Sequence, residues 1–301
     1  MGPVREPWVR YALLFLATVI STTFAGQLHY ASFVVEFSGR PLGLTGWGLF
    51  VRGLWYSVSI LAILGTHELG HYFACRYYGV NASAPYFLPM PLLLTGTLGA
   101  FIRIREPIPT KRALFDIGIA GPLAGFLVAV PVLLVGMYLS TVVEIPKNFT
   151  GDVYEFGEPL LFKLASWLTF GPIPEGYTVN MHPMTFAAWF GMLATALNLF
   201  PIGQLDGGHI AYAVFGRRST ILTLAMVIAL VALTFVSLSW LVWTVLTVGM
   251  LVFGGPHHPP VGDEYIPLDR GRLYLAAVAL VVFVLCFTPA PLEPTQLIAR
   301  P

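Results

Sequence analysis

Long apolar runs separated by short polar stretches dominate the pattern along this chain. A helix that crosses a bilayer needs roughly 20 mostly apolar residues, and several segments come near that length. The predicted spans are 11–33, 54–78, 114–140, 185–205, 219–237, 239–254 and 271–288. The fifth and sixth are separated only by Ser237–Ser239, which predicts a tight helical hairpin. The pattern therefore predicts an all-α polytopic membrane protein with about seven transmembrane helices.

Charged residues between the runs predict an orientation. Basic loops are retained on the cytoplasmic side of a membrane. Loop 79–113 is basic, whereas loop 141–184 is acidic. We therefore expect the N-terminus and loop 79–113 to be cytoplasmic and loop 141–184 to be external, with a possible interfacial helix at 157–170.

Composition excludes several classes of partner and chemistry. The chain is 56% hydrophobic and 10% charged, whereas soluble domains carry about 25% charged residues. A net charge of +1 without a basic stripe predicts no nucleic-acid partner. Cys75 and Cys286 lie in apolar stretches and are interpreted as small buried residues.

One segment between the spans has the period of a strand. Residues 96–105 begin with glycines, and Ile102 and Ile104 face one way while Phe101, Arg103 and Arg105 face the other. This predicts a short membrane-associated β-hairpin. Proteases bind substrates by adding a strand to a sheet edge, so the segment is either a substrate-binding strand or a structural hairpin.

The second span carries polar residues that are costly inside a membrane. It reads Gly65-Thr66-His67-Glu68-Leu69-Gly70-His71. His67 and His71 share a helical face and can bind one metal ion, while Glu68 can take a proton from water. This HExxH pattern predicts a zinc hydrolase site.

Such a site needs a third protein ligand, and the extended histidine pattern has Tyr77 at that position. Asp206, in Leu205-Asp206-Gly207-Gly208-His209, is predicted to lie at the same cytoplasmic depth as His67 and His71. Pro201 and Gly203 are predicted to end or unwind span four there. The other histidines have weaker predictions. His209 is an alternative ligand. His182 lies too far from Asp206 along the helix to join the site and is interpreted as interfacial. His29 is also interpreted as interfacial, and His257 and His258 are interpreted as loop residues or lid contacts.

Together, HExGH and the later Asn198-x-x-Pro-x-x-x-Leu-Asp-Gly-Gly-His resemble the site-2 protease family of intramembrane metalloproteases. The segments Gly96–Ile102 and Phe115–Pro122 are similar to its plant chloroplast branch. The resemblance implies one zinc ion per chain on His67, His71 and Asp206, Glu68 as general base, and Asn198 as a catalytic residue that helps bind substrate or the oxyanion. It also implies a transmembrane protein substrate, cleaved within the bilayer at a site that opens toward the cytoplasmic side.

The expected organisation has an N-terminal helix and external loop at 1–53, a catalytic membrane core at 54–210 and C-terminal helices at 211–301. Gly118, Gly121 and Gly125 are predicted to pack helices closely. Two alternatives stay open, a metal-binding membrane transporter and a non-proteolytic zinc-binding chaperone. A transporter needs polar groups at several depths, and Glu68 is required for water activation but not for zinc binding. The sequence predicts no particular substrate or oligomeric state.

Overall fold

The structure, a computed structural model, describes residues 7–35, 41–91, 94–145, 153–255 and 259–295. Helices dominate these ranges, and three short antiparallel strand pairs accompany them. The helices are α1 (Trp8–Val35), α2 (Trp47–Tyr77), α3 (Lys111–Leu139), α4 (Leu160–Phe170), α5 (Pro183–Asn198), α6 (Asp206–Phe215), α7 (Ser219–Val236), α8 (Trp240–Gly254) and α9 (Arg270–Cys286). The strands are β1 (Tyr86–Pro89), β2 (Thr97–Phe101), β3 (Thr141–Glu144), β4 (Val153–Phe156), β5 (Tyr177–Asn180) and β6 (Leu292–Thr295).

Four stretches of helix are long and apolar enough to cross a membrane, within the residues described. They are Trp8–Val35, Trp47–Tyr77, Lys111–Leu139 and Asp206–Val236. The predicted spans 11–33, 54–78 and 114–140 therefore correspond to long helices. The predicted span 219–237 falls on α7, which completes the fourth stretch, Asp206–Val236. The other three predicted spans fall on shorter helices, with 16 residues in α5, 15 in α8 and 17 in α9. The predicted all-helical membrane class agrees with the structure, whereas the count of about seven spans stays a prediction.

The predicted fourth span, 185–205, is wrong at its C-terminal end. Helix α5 ends at Asn198, and Asp206 begins a new helix instead of continuing the old one. Pro201 has no backbone N–H and cannot continue a helix. Gly203 adopts a positive φ of 53° that favours glycine. The predicted break at these two residues is therefore confirmed.

The chain has two compact units. The first comprises Met1–Pro107, Leu123–Glu144 and Trp167–Gly191, and the second comprises Ile108–Pro122, Ile145–Ser166 and Met192–Pro301.

In the first unit, α1 and α2 pack with almost no side chain between them. A Cβ added to Gly26 would lie 2.2 Å from the Gly53 carbonyl oxygen, and one added to Gly53 would lie 2.3 Å from the Thr23 carbonyl oxygen. Membrane helices use small residues in this way because close packing replaces the missing hydrophobic driving force. The Thr22 and Ser57 hydroxyls also share a hydrogen bond of 2.7 Å across the contact. The predicted hairpin packs against these two helices.

The hairpin predicted at 96–105 is confirmed over β2, which pairs with β1 in antiparallel register from Tyr86↔Phe101 to Pro89↔Thr97. An isolated bridge, Ala82↔Ile104, extends the pairing. The β1 side lies along α1, with ring centroids 4.6 Å apart for Tyr11 and Tyr86. The alternation that predicted this strand lies at residues 101–105, mostly beyond the end of β2, where the structure has the bridge at Ile104. The partner strand was not predicted, because its Tyr-Phe-Leu-Pro segment has no alternation.

The second unit is built around the turn that precedes α6. Phe200 and Ile202 from this turn are buried in one cluster with Leu230 and Trp240. The Trp240 indole donates a hydrogen bond of 2.8 Å to the Pro289 carbonyl, which ties α8 to the segment after α9. The predicted α7–α8 hairpin is confirmed, since α7 ends at Val236 and α8 begins at Trp240.

The acidic segment 141–184 contains more regular structure than its sequence predicts. Helix α4 falls within the possible helix at 157–170. Strand β3 pairs with β5, and β4 pairs with β6 from the C-terminal region. Each of these strands has four residues, which is too short to show a reliable period of two.

Candidate metal centre

The first part of the site is two turns of the continuous helix α2. His67, Glu68 and His71 are 5%, 7% and 7% exposed, so the helix buries all three polar side chains. The Nε2 atoms of His67 and His71 lie 3.1 Å apart. Two imidazoles four residues apart on a helix can converge only if both rings turn toward the same point, and the ring centroids are 4.8 Å apart. The Glu68 carboxylate is 3.9 Å from Nε2 of His67.

Helix α3 approaches this pair through a glycine. A Cβ added to Gly125 would lie 3.1 Å from Cβ of His67 and 3.4 Å from its Nδ1. That distance is tighter than most real contacts, so a larger residue would press on the imidazole. The predicted packing role is therefore supported at Gly125, where the contact is with a candidate ligand itself.

The second part of the site is the first turn of α6. Asp206 is the first residue of that helix and its acidic first-turn residue. The unpaired N–H groups and the positive end of the helix dipole favour a carboxylate at this position. No side chain caps the helix at Leu205. The carboxylate of Asp206 therefore places negative charge near the first N–H groups of the helix.

Glycine is required for steric reasons at the two positions after Asp206. A Cβ on Gly207 would lie 2.1 Å from the Leu199 carbonyl oxygen, and one on Gly208 would lie 2.3 Å from the Gly203 carbonyl oxygen. The chain from Leu199 to Leu205 crosses directly over the first turn of α6. No side chain fits at position 207 or 208. No role was predicted for these two glycines from the sequence. On the other side, a Cβ on Gly118 would lie 3.3 Å from the Asp206 carbonyl oxygen.

One group of potential metal ligands is found among the described residues, and it consists of His67, His71 and Asp206. One ligand atom from each residue lies within 4.8 Å of the others. Two nitrogens at roughly 2.0–2.1 Å from a tetrahedral zinc ion would be about 3.3 Å apart, close to the 3.1 Å between the two Nε2 atoms. Two neutral imidazoles and a carboxylate are also a donor set that zinc accepts. The residues therefore fit a zinc ion.

Among the described residues, the other histidines do not belong to this group of potential ligands. His209 is not a member of it among the residues described, although it follows Asp206 by one helical turn. His257 and His258 lie outside the described residues. His29 is buried, at 7% exposed, and its Nε2 lies 2.9 Å from the Leu94 carbonyl oxygen. Its predicted place at the membrane interface stays a prediction.

His182 lies just before α5 and is also buried, at 6% exposed. Its Nδ1 accepts a hydrogen bond of 3.3 Å from the backbone N–H of Met184. Burial, and secondarily the charge of Arg52, lowers the pKa of His182 to about 4. The imidazole is therefore a neutral part of the helix start, and its predicted place at the membrane interface stays a prediction.

Asn198 occupies the last position of α5, immediately before the chain turns toward Asp206. Its side chain is partly buried. Its predicted role in binding substrate or an oxyanion stays a prediction.

The structure contains an ion pair near the start of α3 that was not predicted from the sequence. The Arg272 guanidinium donates from Nε to Asp116 at 2.9 Å, and it also donates to the second carboxylate oxygen. Asp116 belongs to the Phe-Asp-Ile-Gly segment noted in the sequence, and an acidic residue inside an apolar helix is a signal that a basic partner is needed. Its partner lies 156 residues away in sequence.

Comparison with known proteins agrees with this geometry. Residues 55–241 match the model of peptidase family M50. The chain belongs to this family, the site-2 protease family that its motifs resemble. Similar curated proteins include Probable zinc metalloprotease EGY2, chloroplastic, from Oryza sativa subsp. indica, which is 32% identical over 83% of this chain and 45% of its own length. Probable zinc metalloprotease EGY1, chloroplastic, from Arabidopsis thaliana is 31% identical over 77% of this chain and 42% of its own length.

The chain thus spans less than half the length of these relatives. The match includes α2, the hairpin, α3, α5 and α6, so it covers both candidate ligand segments.

Proposed function

We propose that this protein is a zinc metalloendopeptidase that cleaves membrane-anchored substrates within the bilayer. The observation that carries the proposal is the buried group of His67, His71 and Asp206, with the Glu68 carboxylate beside His67. The relatives named zinc metalloproteases support the metal and the reaction class. The four long apolar stretches of helix support a multi-pass membrane location.

His67, His71 and Asp206 would hold the ion through two imidazole nitrogens and one carboxylate oxygen. Zinc bound there supplies a Lewis acid that polarises the peptide carbonyl and makes water more acidic. Glu68 accepts the proton of the attacking water on its carboxylate and gives it to the leaving amine. Asn198 would donate a hydrogen bond to the substrate carbonyl as it gains negative charge.

The buried position of Glu68 suits this task. Its side chain is 10% exposed, and low solvent access strengthens its interaction with a proton donor placed next to it. A zinc-binding protein without hydrolytic activity has no need for a carboxylate at this position. The buried Glu68 therefore favours the protease over a zinc-binding chaperone.

The hairpin would bind the substrate. A transmembrane helix hides its peptide groups in its own hydrogen bonds, so the cleaved segment must unwind and find new backbone partners. Within the described residues, the hairpin is a two-stranded sheet without a third strand. Unpaired strand edges at membrane depth are tolerated only inside protein or along a water-filled cavity. An extended substrate added to this edge would satisfy both sets of backbone groups.

Contacts also place the hairpin beside the histidine helix. A Cβ added to Gly65, two residues before His67, would lie 3.5 Å from Cζ of Phe87 in β1. The strand and the candidate ligands therefore belong to neighbouring surfaces of one helix. By the predicted orientation, the site opens toward the cytoplasmic side.

Glu68→Gln is the decisive test. The amide keeps the size of the side chain but cannot accept a proton, so cleavage should fall by at least about 10³-fold while zinc content stays the same. The measurement compares purified wild-type and variant protein in vesicles with a quenched-fluorescent single-span peptide, together with metal analysis. A variant rate within a few-fold of the wild type would contradict the proposed role of Glu68 and with it the protease mechanism.

A further inference from the structure

Three side chains of α1 and α2 bind residues 94–96 of the hairpin, which precede β2 and are called the tip below. The Ser21 hydroxyl donates to the Gly96 carbonyl at 2.7 Å, and the Tyr56 hydroxyl donates to the Thr95 carbonyl at 2.9 Å. Nε2 of His29 lies 2.9 Å from the Leu94 carbonyl oxygen. A carbonyl oxygen only accepts hydrogen bonds, so Nε2 of His29 carries the proton. Three consecutive carbonyls of the tip are thus each bound by a side chain of a neighbouring helix.

These donors are part of the protein interior. Ser21, His29 and Tyr56 are 5%, 7% and 0% exposed. Phe186 stacks on the His29 ring with centroids 4.6 Å apart, which holds the imidazole in its orientation. A buried carbonyl without a donor costs about 1–3 kcal/mol, so three donors in a row give the tip one strongly preferred position.

The backbone of the tip also lies directly against α1. Gly96 has a positive φ of 69°. A Cβ there would lie 2.6 Å from Cα of Thr22 and 2.7 Å from the Ser21 carbonyl oxygen. No residue with a side chain fits between the hairpin and the helix at this point, so the tip cannot move toward α1.

The hairpin reaches far along α1. Its base contacts Tyr11 through Tyr86, while its tip contacts His29 through Leu94. Tyr11 and His29 are separated by about 27 Å along a helix that rises 1.5 Å per residue, which approaches the roughly 30 Å of the hydrocarbon core. These contacts hold the far end of the hairpin, and β2 begins at Thr97, directly after the bound tip.

We propose that Ser21, His29 and Tyr56 are positioning residues for substrate binding. They bind the tip of the hairpin and thereby hold the β2 edge at a fixed place beside the helix of His67 and His71, ready to pair with an extended substrate. This inference rests on the proposed function. It assigns the three residues no contact with the substrate or with zinc.

The matched control is Ser59 of α2. Ser59 is 5% exposed, as Ser21 is, and its hydroxyl donates to the Trp55 carbonyl of its own helix at 2.7 Å. Ser21→Ala and Ser59→Ala therefore remove the same hydroxyl from equally buried positions, and only the first removes a bond to the hairpin. Tyr56→Phe removes the second donor without leaving a cavity.

The first experiment measures steady-state cleavage of the quenched-fluorescent single-span peptide in vesicles. For Ser21→Ala and Tyr56→Phe we expect the KM to rise about tenfold, because each variant leaves one carbonyl of the tip without its donor. The kcat and the zinc content should stay within about twofold of the wild type. Ser59→Ala should match the wild type. A fall in kcat without a change in KM, or an equal change in Ser59→Ala, would overturn the proposal.

The second experiment needs no catalysis and separates this inference from the proposed function. Spin labels on cysteines replacing Leu98 and Leu13, both exposed, report the distance between β2 and α1 by pulsed electron paramagnetic resonance. The distance distribution should be narrow in the wild type and in Ser59→Ala, and broad in Tyr56→Phe. Equal distributions in all three would overturn the proposal. If the wild-type enzyme cleaves nothing, the proposed function is at fault, and these distances alone decide whether the three donors position the hairpin.

Discussion

The two segments that supply the candidate ligands place them by opposite means. In α2, His67, Glu68 and His71 lie within an unbroken helix of 31 residues, so helical geometry alone brings the two imidazoles to one face. Asp206 instead begins a helix after a seven-residue turn that separates it from Asn198. There, glycines and a proline set the position of the carboxylate. The positions of the two imidazoles depend on the helix itself, whereas the position of the Asp206 carboxylate depends on the residues around it.

Loss of a ligand should have the largest effect and should be equally severe in both segments. His67→Ala and Asp206→Ala each leave two protein ligands where zinc hydrolases use three. We expect zinc content to fall well below one ion per chain and cleavage to fall by at least about 10³-fold. Metal analysis of purified protein measures the first effect. Full zinc occupancy in Asp206→Ala would place the third ligand elsewhere, and His209 would then be the residue to test.

The residue at the end of α5 should separate catalysis from metal binding. Asn198→Ala should lower the turnover number by about 10²–10³-fold, the cost measured for loss of an oxyanion donor, without lowering zinc content. Steady-state kinetics with parallel metal analysis tests this. A turnover number equal to that of the wild type would make Asn198 a packing residue of the turn.

Glycine substitutions should show the difference between the two segments. Gly207→Ala brings a methyl group to 2.1 Å from a backbone oxygen, so we expect a loss of about 2–4 kcal/mol in stability together with loss of zinc. Gly125→Ala meets the His67 side chain at 3.1 Å, and we expect unchanged folding with a several-fold weaker zinc affinity.

Gly249→Ala is the control, because nothing lies within 4 Å of its added methyl group. Thermal unfolding and competitive zinc titration of all three variants give the comparison. Equal stability of Gly207→Ala and Gly249→Ala would contradict the close crossing of the turn over α6.

The smallest expected effect concerns the start of α5. The pKa of His182 is lowered in the folded protein to about 4 from an ordinary value of 6.5, so folding favours the neutral imidazole. This stabilisation is present above pH 6.5 and is lost as the pH falls toward 4. Protonation of Nδ1 also removes the acceptor for the Met184 N–H.

We therefore expect the melting temperature of the wild type to fall by a few degrees more than that of His182→Gln between pH 7 and pH 4.5. Thermal scans in one detergent at the two pH values measure it. Parallel pH dependence in both proteins would show that His182 stays neutral in the unfolded chain or charged in the folded one.

The sequence by itself determined the features that depend on local periodicity. The spacing of His67 and His71 needs only the helical repeat, and the long helices α1, α2 and α3 follow from length and hydrophobicity. A strand was also predicted over residues 96–105, which contain β2. Asp206 was predicted from its depth at the end of the fourth span and from the resemblance of its motif. Apart from that depth, these signals lie within a few residues of one another, so no knowledge of distant contacts is required.

Only the tertiary structure decided the features that join distant parts of the chain. The sequence gives no sign that Tyr56 and His29 bind the hairpin tip, that Asp116 pairs with Arg272, or that Gly207 avoids the Leu199 carbonyl. It also did not predict that the side chains of His29 and His182 are buried in the protein. The physical reason is that a buried hydrogen bond or a steric contact depends on which backbone approaches the residue, and that approach is set by the packing of helices far apart in sequence.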